Sequence, residues 1–277
     1  MGLRISTNIA SINSQRQMTN AQRDIQSSYA QLSSGSRINK AADDAAGLAI
    51  SETLKGQIRG FRQASRNAND GISLVQTAEG GLNEISNIVV RMRELGVQAA
   101  SDTVSDRERG MIDTEIQQLK METDRIAKST KFGAVALLDG SGGEFEFQIG
   151  VNNDPFADRI KFDAGKQNAT LDALELGGLD YTSKEGAQEA LSKLDEASIR
   201  VNTNRANLGA IQNRLLSTTN NLGVQDENLS AANSRIRDTD VAMASAELAR
   251  NNVLLQANTS TLAQANQSGN VALKLLG

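Results

Sequence analysis

A chain of 277 residues with 29 basic and 33 acidic side chains, net charge −4, has no basic stripe that could neutralise a phosphate backbone, which excludes nucleic acid as a partner. No apolar run approaches the roughly 18 residues that a membrane helix needs, and no cationic segment followed by a continuous apolar stretch opens the chain, so neither a membrane partner nor a cleavable signal is expected. With 39% hydrophobic but only 3% aromatic residues, no histidine and no cysteine, the composition predicts aliphatic seams between helices and removes the commonest base, metal ligand and nucleophile; no enzyme activity, metal or cofactor is expected.

The first ladder is Ile5, Ile9 and Ile12, followed by Met18, Ile25 and Leu32, the last three seven apart but out of step with the first. This predicts a weakly amphipathic helix. Ser33 to Ser36 interrupts it, and from there to Gly60 the chain is rich in Ala, Asp and Gly with little periodicity, which reads as a break or hinge. Val75, Leu82 and Val89, with Ile85, Met92 and Ala99 and with Ile88 and Leu95, define a wide apolar helix face ending near Ala100, preceded by a local turn signal at Asn69, Asp70 and Gly71. Ser105 with Glu108 forms a capping box that opens a second helix over Ile112, Ile116, Leu119 and Ile126, ending before Phe132 and antiparallel to the first.

Between residues 133 and 180 the period changes. The alternation Phe145, Phe147, Ile149, then Asn152 to Pro155, then Ile160 and Phe162, predicts strand, turn, strand. Thr182 with Glu185 makes a further capping box at the start of the longest helix, in which Leu194, Val201, Leu208, Leu215, Leu222, Leu229, Ile236 and Met243 stand seven apart. The intervening seam positions Ala197, Asn204, Thr218, Gln225 and Ala232 are small or polar, and only Ile211 is large and apolar, too thin a stripe for a free two-stranded coiled coil. Its partners are therefore expected to be other helices of the same chain, with neighbouring chains covering what remains. After Asp238 a new ladder begins, Val241, Leu248, Leu255 and Leu262, followed by an apolar tail of Val271, Leu273, Leu275 and Leu276. The fold class is mainly α: a long-helix coiled-coil bundle with a small β-hairpin region in the middle of the chain.

Two acidic pairs, Asp43 with Asp44 and Asp238 with Asp240, lack any second cluster or calcium-loop spacing and read as helix-end caps and solvated charge. Gly140 to Gly143 lack the flanking strand, helix and lysine of a phosphate loop and read as a hairpin turn. The terminal ladders contain too few large apolar residues to fold alone, and Asn251, Asn252, Gln256, Asn258, Gln264, Asn266 and Gln267 crowd the second, so both need a partner surface beyond the chain.

These residues also carry a resemblance. LSSGSRINKAADDAAGLAIS (Leu32 to Ser51), QASRNANDGISLVQTAEGGLNEI (Gln63 to Ile85), VRMRELGVQAAS (Val90 to Ser101) and SRIRDTDVAMASAELARNNVLLQANTSTLAQANQ (Ser234 to Gln267) resemble both flanks of bacterial flagellin, and FQIG (Phe147 to Gly150) resembles its short hairpin. The likeness covers essentially the whole chain and leaves no room between about Gly165 and Tyr181 for large inserted outer domains, as in a minimal flagellin.

The resemblance implies an inner filament-core domain, 1–42 plus 238–277, made by pairing the terminal helices, and an outer helical-bundle domain, 43–237, with the β-hairpin around 133–180. It implies that Asn69 to Gly71 lie inside a continuous helix. It implies a structural subunit exported through the flagellar type III channel without a cleaved signal and polymerised outside the cell into a helical propeller. Its partners would be copies of itself, the flagellar cap and hook-associated proteins, and an export chaperone at the C-terminal region. The assembly residues would be Ile5, Ile9, Ile12, Met18, Ile25, Leu32, Val241, Leu248, Leu255 and Leu262. Arg91, Leu95 and Glu115 resemble the surface bound by the vertebrate Toll-like receptor that senses flagella, although Val90 stands where the well-recognised pattern has glutamine. A hook-associated junction protein and a cytosolic coiled-coil scaffold are the alternatives.

Overall fold

The structure is a computed structural model that describes the backbone of residues 7–274 and the side chains of residues 7–267. Ile5 lies outside the described residues, as do the tail side chains Val271, Leu273, Leu275 and Leu276. Five α-helices and four short strands follow one another among the described residues: α1 (Ile9–Ser34), α2 (Ala45–Ala99), α3 (Asp106–Ser129), β1 (Lys131–Phe132), β2 (Val135–Ala136), β3 (Glu144–Gln148), β4 (Arg159–Asp163), α4 (Lys184–Arg237) and α5 (Val241–Lys274). The chain divides into two compact units, Gln57–Glu227 and Met1–Gly56 with Asn228–Gly277.

The unit Gln57–Glu227 holds the bundle. The α2 face predicted from Val75 to Ala99 is buried against Ile112, Ile116 and Ala127 of α3, against Leu194, Val201, Leu208 and Leu215 of α4, and against Ile149, Ile160 and Phe162 of the hairpin. Helices α2 and α4 run antiparallel, joined across their exposed edges by Arg62 with Asp226 at 3.1 Å and Arg93 with Asp195 at 2.7 Å. The thin α4 stripe is thus completed by other elements of its own chain, which is why small and polar residues suffice between its large ones.

Strands β3 and β4 pair antiparallel with Phe145 opposite Phe162 and Phe147 opposite Ile160, the alternation read from the sequence. Gly140 to Gly143 do not form the turn of this hairpin; they link β2 to β3, with Gly140 at φ +80° and Asp139 Oδ1 accepting from Ser141 N–H at 2.9 Å. The β1–β2 pair has two residues in each strand, too short to leave a period in the sequence.

Several boundaries differ from the sequence reading. The break spans the residues between Ser34 and Ala45 and does not extend to Gly60, because Asp44 Oδ1 accepts from Gly47 N–H at 2.8 Å and starts α2 there. The turn signal at Asn69–Gly71 is overridden: Asn69 Nδ2 donates to Ser65 O at 2.8 Å within the helix, and Gly71 lies close under the Phe147 ring, which a Cβ there would approach to 3.2 Å. Helix α4 is capped by Ser183, whose Oγ accepts from Gly186 N–H at 3.1 Å, while Thr182 donates to Asp180. The seven-residue series ends at Ile236, because α4 stops at Arg237 and Asp240 restarts the chain as α5 in a new phase, leaving Met243 65% exposed.

The compact units divide at Gly56 and Asn228, whereas the resemblance places the domain boundaries at 42 and 238. Within the unit that holds the terminal helices, the start of α2 and the end of α4 are tied to each other by Ser51 Oγ to Asn233 Oδ1 at 2.8 Å and by the Glu52–Arg237 ion pair.

Candidate assembly surface

Helices α1 and α5 pack along one another as an antiparallel pair. At one end Asn8 Nδ2 donates to Ala265 O at 2.8 Å; at the other Arg37 N–H donates to Arg237 O at 2.6 Å and Thr239 N–H to Gly35 O at 3.0 Å. Asn8 also caps α1, its Oδ1 accepting from Ser11 N–H at 3.1 Å. Among the less exposed positions of α1 are Met18, Ala21, Ile25, Ser28 and Leu32, and among those of α5 are Ala244, Leu248, Asn251, Leu255, Asn258 and Leu262, both sets alternating by three and four residues. That is coiled-coil spacing, but every other knob is Ala, Ser or Asn.

The ten residues assigned to assembly therefore separate. Ile25 is buried and Met18, Leu32, Leu248, Leu255 and Leu262 are half-buried in the seam, whereas Ile9 at 64%, Ile12 at 57% and Val241 at 61% point away from it. Ile5 is outside the described residues. The sequence ladder missed further exposed apolar side chains in the same unit: Tyr29, Ile50, Met243, Val253 and Leu254. Ladder counting selects residues by period alone, and these five fall outside the assembly ladders. The signal available was apolar residues left over once the seam is assigned.

Within each acidic pair one member caps a helix, Asp44 for α2 and Asp240 for α5, while Asp43 closes the turn before α2 and Asp238 takes a serine hydroxyl. Asp43 Oδ2 accepts from the Lys40 and Asn39 backbone N–H groups, which hold its carboxyl below the usual carboxylate range. Asp240 Oδ1 accepts from Ala242 N–H at 2.9 Å and Met243 N–H at 3.1 Å, and Asp238 accepts from Ser234 Oγ at 2.6 Å. Among the described residues no cluster of three or more His, Cys, Asp or Glu side chains could hold a metal ion, and no helix is long and apolar enough to cross a membrane.

On the bundle, Arg91 and Glu115 meet across α2 and α3 at 3.0 Å, and Arg91 also holds Glu94 at 3.0 Å. Glu115, then Glu94, raise the pKa of the Arg91 guanidinium by accepting its hydrogen bonds. Leu95 is 3% exposed and belongs to the core, so of the three residues assigned to receptor recognition only Arg91 and Glu115 present their side chains at the surface.

A long-helix bundle joined in sequence to a thin, outwardly apolar helix pair has the makings of a structural subunit that gains its remaining contacts by association. Comparison with known proteins agrees. The family model described as the bacterial flagellin N-terminal helical region matches residues 5–142, and that of the C-terminal helical region matches residues 191–276. The flagellin of Halalkalibacterium halodurans is 44% identical over 98% of this chain and 99% of its own. The flagellar filament core protein flaB2 of Brachyspira hyodysenteriae is 42% identical over the same shares. Flagellin B of Vibrio anguillarum is 35% identical over all of both chains, in an alignment of 376 positions against the 277 residues here, so this chain lacks the large outer insertions. Among solved structures, Bacillus cereus flagellin is 34% identical at a TM-score of 0.51, covering 61% of this chain and 94% of its own. A flagellar hook-associated protein from Vibrio parahaemolyticus, 14% identical at a TM-score of 0.57 and covering 71% and 100%, shares the fold alone.

The chain belongs to the bacterial flagellin family, the structural subunits of the bacterial flagellar filament. These matches over nearly the full length of filament subunits disfavour the hook-associated and cytosolic-scaffold readings.

Proposed function

We propose that the α1–α5 pair is the polymerising element of the subunit and that its exposed apolar side chains are covered by neighbouring copies. In this reading residues 1–42 and 238–277 form the inner filament domain and 43–237 the outer one. The observation that carries it is the combination of a seam in which alternate positions are Ala, Ser or Asn with outer positions Ile9, Ile12, Val241 and Val253 at 57 to 65% exposure. Such a pair buries too little of its own apolar surface to offset the backbone entropy of ordering it, on the order of 1–2 kcal/mol per residue. Repeating the same heterologous contact from copy to copy yields an open helical filament.

The same reading places the protein outside the cell after export through the flagellar type III channel without a cleaved signal. Its cap, hook-associated and chaperone partners follow from that route, the chaperone engaging the C-terminal region. For the innate-receptor surface we assign direct contact to Arg91 and Glu115, with Leu95 supporting α2 from the core. Receptor-reporter activation by monomer should fall on Arg91→Ala substitution; unchanged activation overturns that assignment.

Assembly is tested by Val241→Asp. The variant should keep the helicity and melting of the bundle while giving no filaments by electron microscopy after salt-induced polymerisation, since its carboxylate would be buried without a partner. Normal filaments would show that this face is not the contact.

A further inference from the structure

With no cysteine in the chain, methionine thioethers are the sulfur atoms that a two-electron oxidant meets. Met92 is fully buried and Met18 lies half-buried in the α1–α5 seam, but Met111, Met121 and Met243 are 62%, 55% and 65% exposed. Met111 and Met121 stand on α3 in the bundle unit. Met243 stands in the first turn of α5, two residues from exposed Val241, its backbone N–H held by Asp240 Oδ1. Helical spacing sets Met243 in line with Glu247, Arg250 and Leu254, and those three line a groove of 450 Å³ facing Asp24 and Gln31 of α1.

We propose that Met243 is a redox-sensitive modification site that controls incorporation of the subunit, with hydrogen peroxide as the reactant; this rests on the α1–α5 face being the polymerising one. A sulfur lone pair attacks one peroxide oxygen, the O–O bond breaks as the S–O bond forms, and the departing oxygen takes up the transferred proton and leaves as water. Sulfur loses two electrons and the peroxide gains them. The product sulfoxide replaces a flexible apolar side chain by a polar, chiral one. Placed in an apolar contact between copies, its oxygen is an acceptor without a donor. Once a subunit is incorporated the thioether is covered, so the modification acts on subunits before they join the filament.

The test uses the full chain. Monomer is treated with hydrogen peroxide, the oxidation of each methionine is followed by peptide mass spectrometry, and polymerisation is followed by light scattering and electron microscopy. Met243 should oxidise in the monomer and be protected in preformed filaments, and oxidised monomer should polymerise slower by about tenfold or more. Methionine sulfoxide reductase should restore the rate. Met243→Leu should polymerise normally and stay insensitive to peroxide, whereas the double variant Met111→Leu, Met121→Leu should remain sensitive. Full-rate assembly with Met243 completely oxidised, or a Met243→Leu protein as sensitive as the parent, overturns the inference. Val241→Asp without oxidant separates the two readings. Normal filaments from it remove the polymerising face itself, whereas its failure to assemble beside normal assembly of oxidised parent protein removes only the redox role.

Discussion

Gly80 and Gly81 are neighbours on α2 and should respond to the same substitution in opposite directions. A Cβ on Gly80 meets nothing within 4 Å, so Gly80→Ala should raise stability by about 1 kcal/mol through helix propensity alone. A Cβ on Gly81 would lie 2.6 Å from Thr130 Oγ1 and 2.8 Å from a methyl of the buried Leu138, and Thr130 is itself fixed by donating to Ile126 O at 2.8 Å. Gly81→Ala should therefore lower stability by about 1–3 kcal/mol. Thermal melting of the two variants checks the pair; equal shifts would mean that the loop after α3 yields. Nothing in the sequence separates these glycines, because the difference arises from a loop that folds back from about fifty residues further on. Gly71 is similar: its local signal is a turn, yet it lies in the helix with the Phe147 ring close against it.

At the scale of elements, what repeats was legible and what is settled by one hydrogen bond was not. The α4 ladder from Leu194 to Leu222 is buried along its length because a seven-residue period leaves the same face inward for turn after turn. By contrast, Thr182 and Ser183 both suit a cap, and only the geometry at Asp180, which takes up Thr182, assigns the role to Ser183. The proposed assembly face was half-legible: the ladders located most of the seam, while Val241, in step with Leu248, points away from it and Tyr29, Ile50 and Val253 belong to no ladder. Leu208→Ala should cost about 2–5 kcal/mol by opening a cavity in the bundle. Leu255→Asp, in the thin seam, should leave the bundle's melting nearly unchanged and abolish polymerisation. Limited proteolysis of the monomer should remove α1 and α5 first and spare a core of about residues 45 to 235. Resistance of α1 and α5 in a demonstrably monomeric sample would show that the pair holds itself together.

For the molecule as a whole, exposed charge pairs bear on stability in acid. Glu175, a non-glycine residue at φ +57°, is held by Lys193 at 3.1 Å and Arg200 at 2.6 Å, and both depress its pKa, Lys193 the more. Asp102 beside Lys184 and Glu146 beside Lys161 are depressed in the same way. A carboxylate lowered by folding adds stability that is complete above its unfolded pKa, about 4, and is lost as the pH falls through the lower folded value. Stability should therefore be flat from neutral pH to about 5 and decline below about 4. Glu175→Gln should shallow that decline in acid melts; an unchanged slope would show that these exposed pairs contribute nothing measurable.

The hydrogen bond from Asn8 to Ala265 spans 257 positions of sequence. In a chain made from its N-terminus, α1 is complete long before its partner exists, and closing so long a loop at random is entropically costly and slow. The bundle shortens that search, since folding it brings Arg62 beside Asp226 and leaves only two tails to find each other. Contact order thus makes the helix pair a proofreader of chain completion. A product of premature termination that lacks α5 leaves α1 with no antiparallel partner, and if that pair is the polymerising element, as proposed, such a product should fail to join a filament.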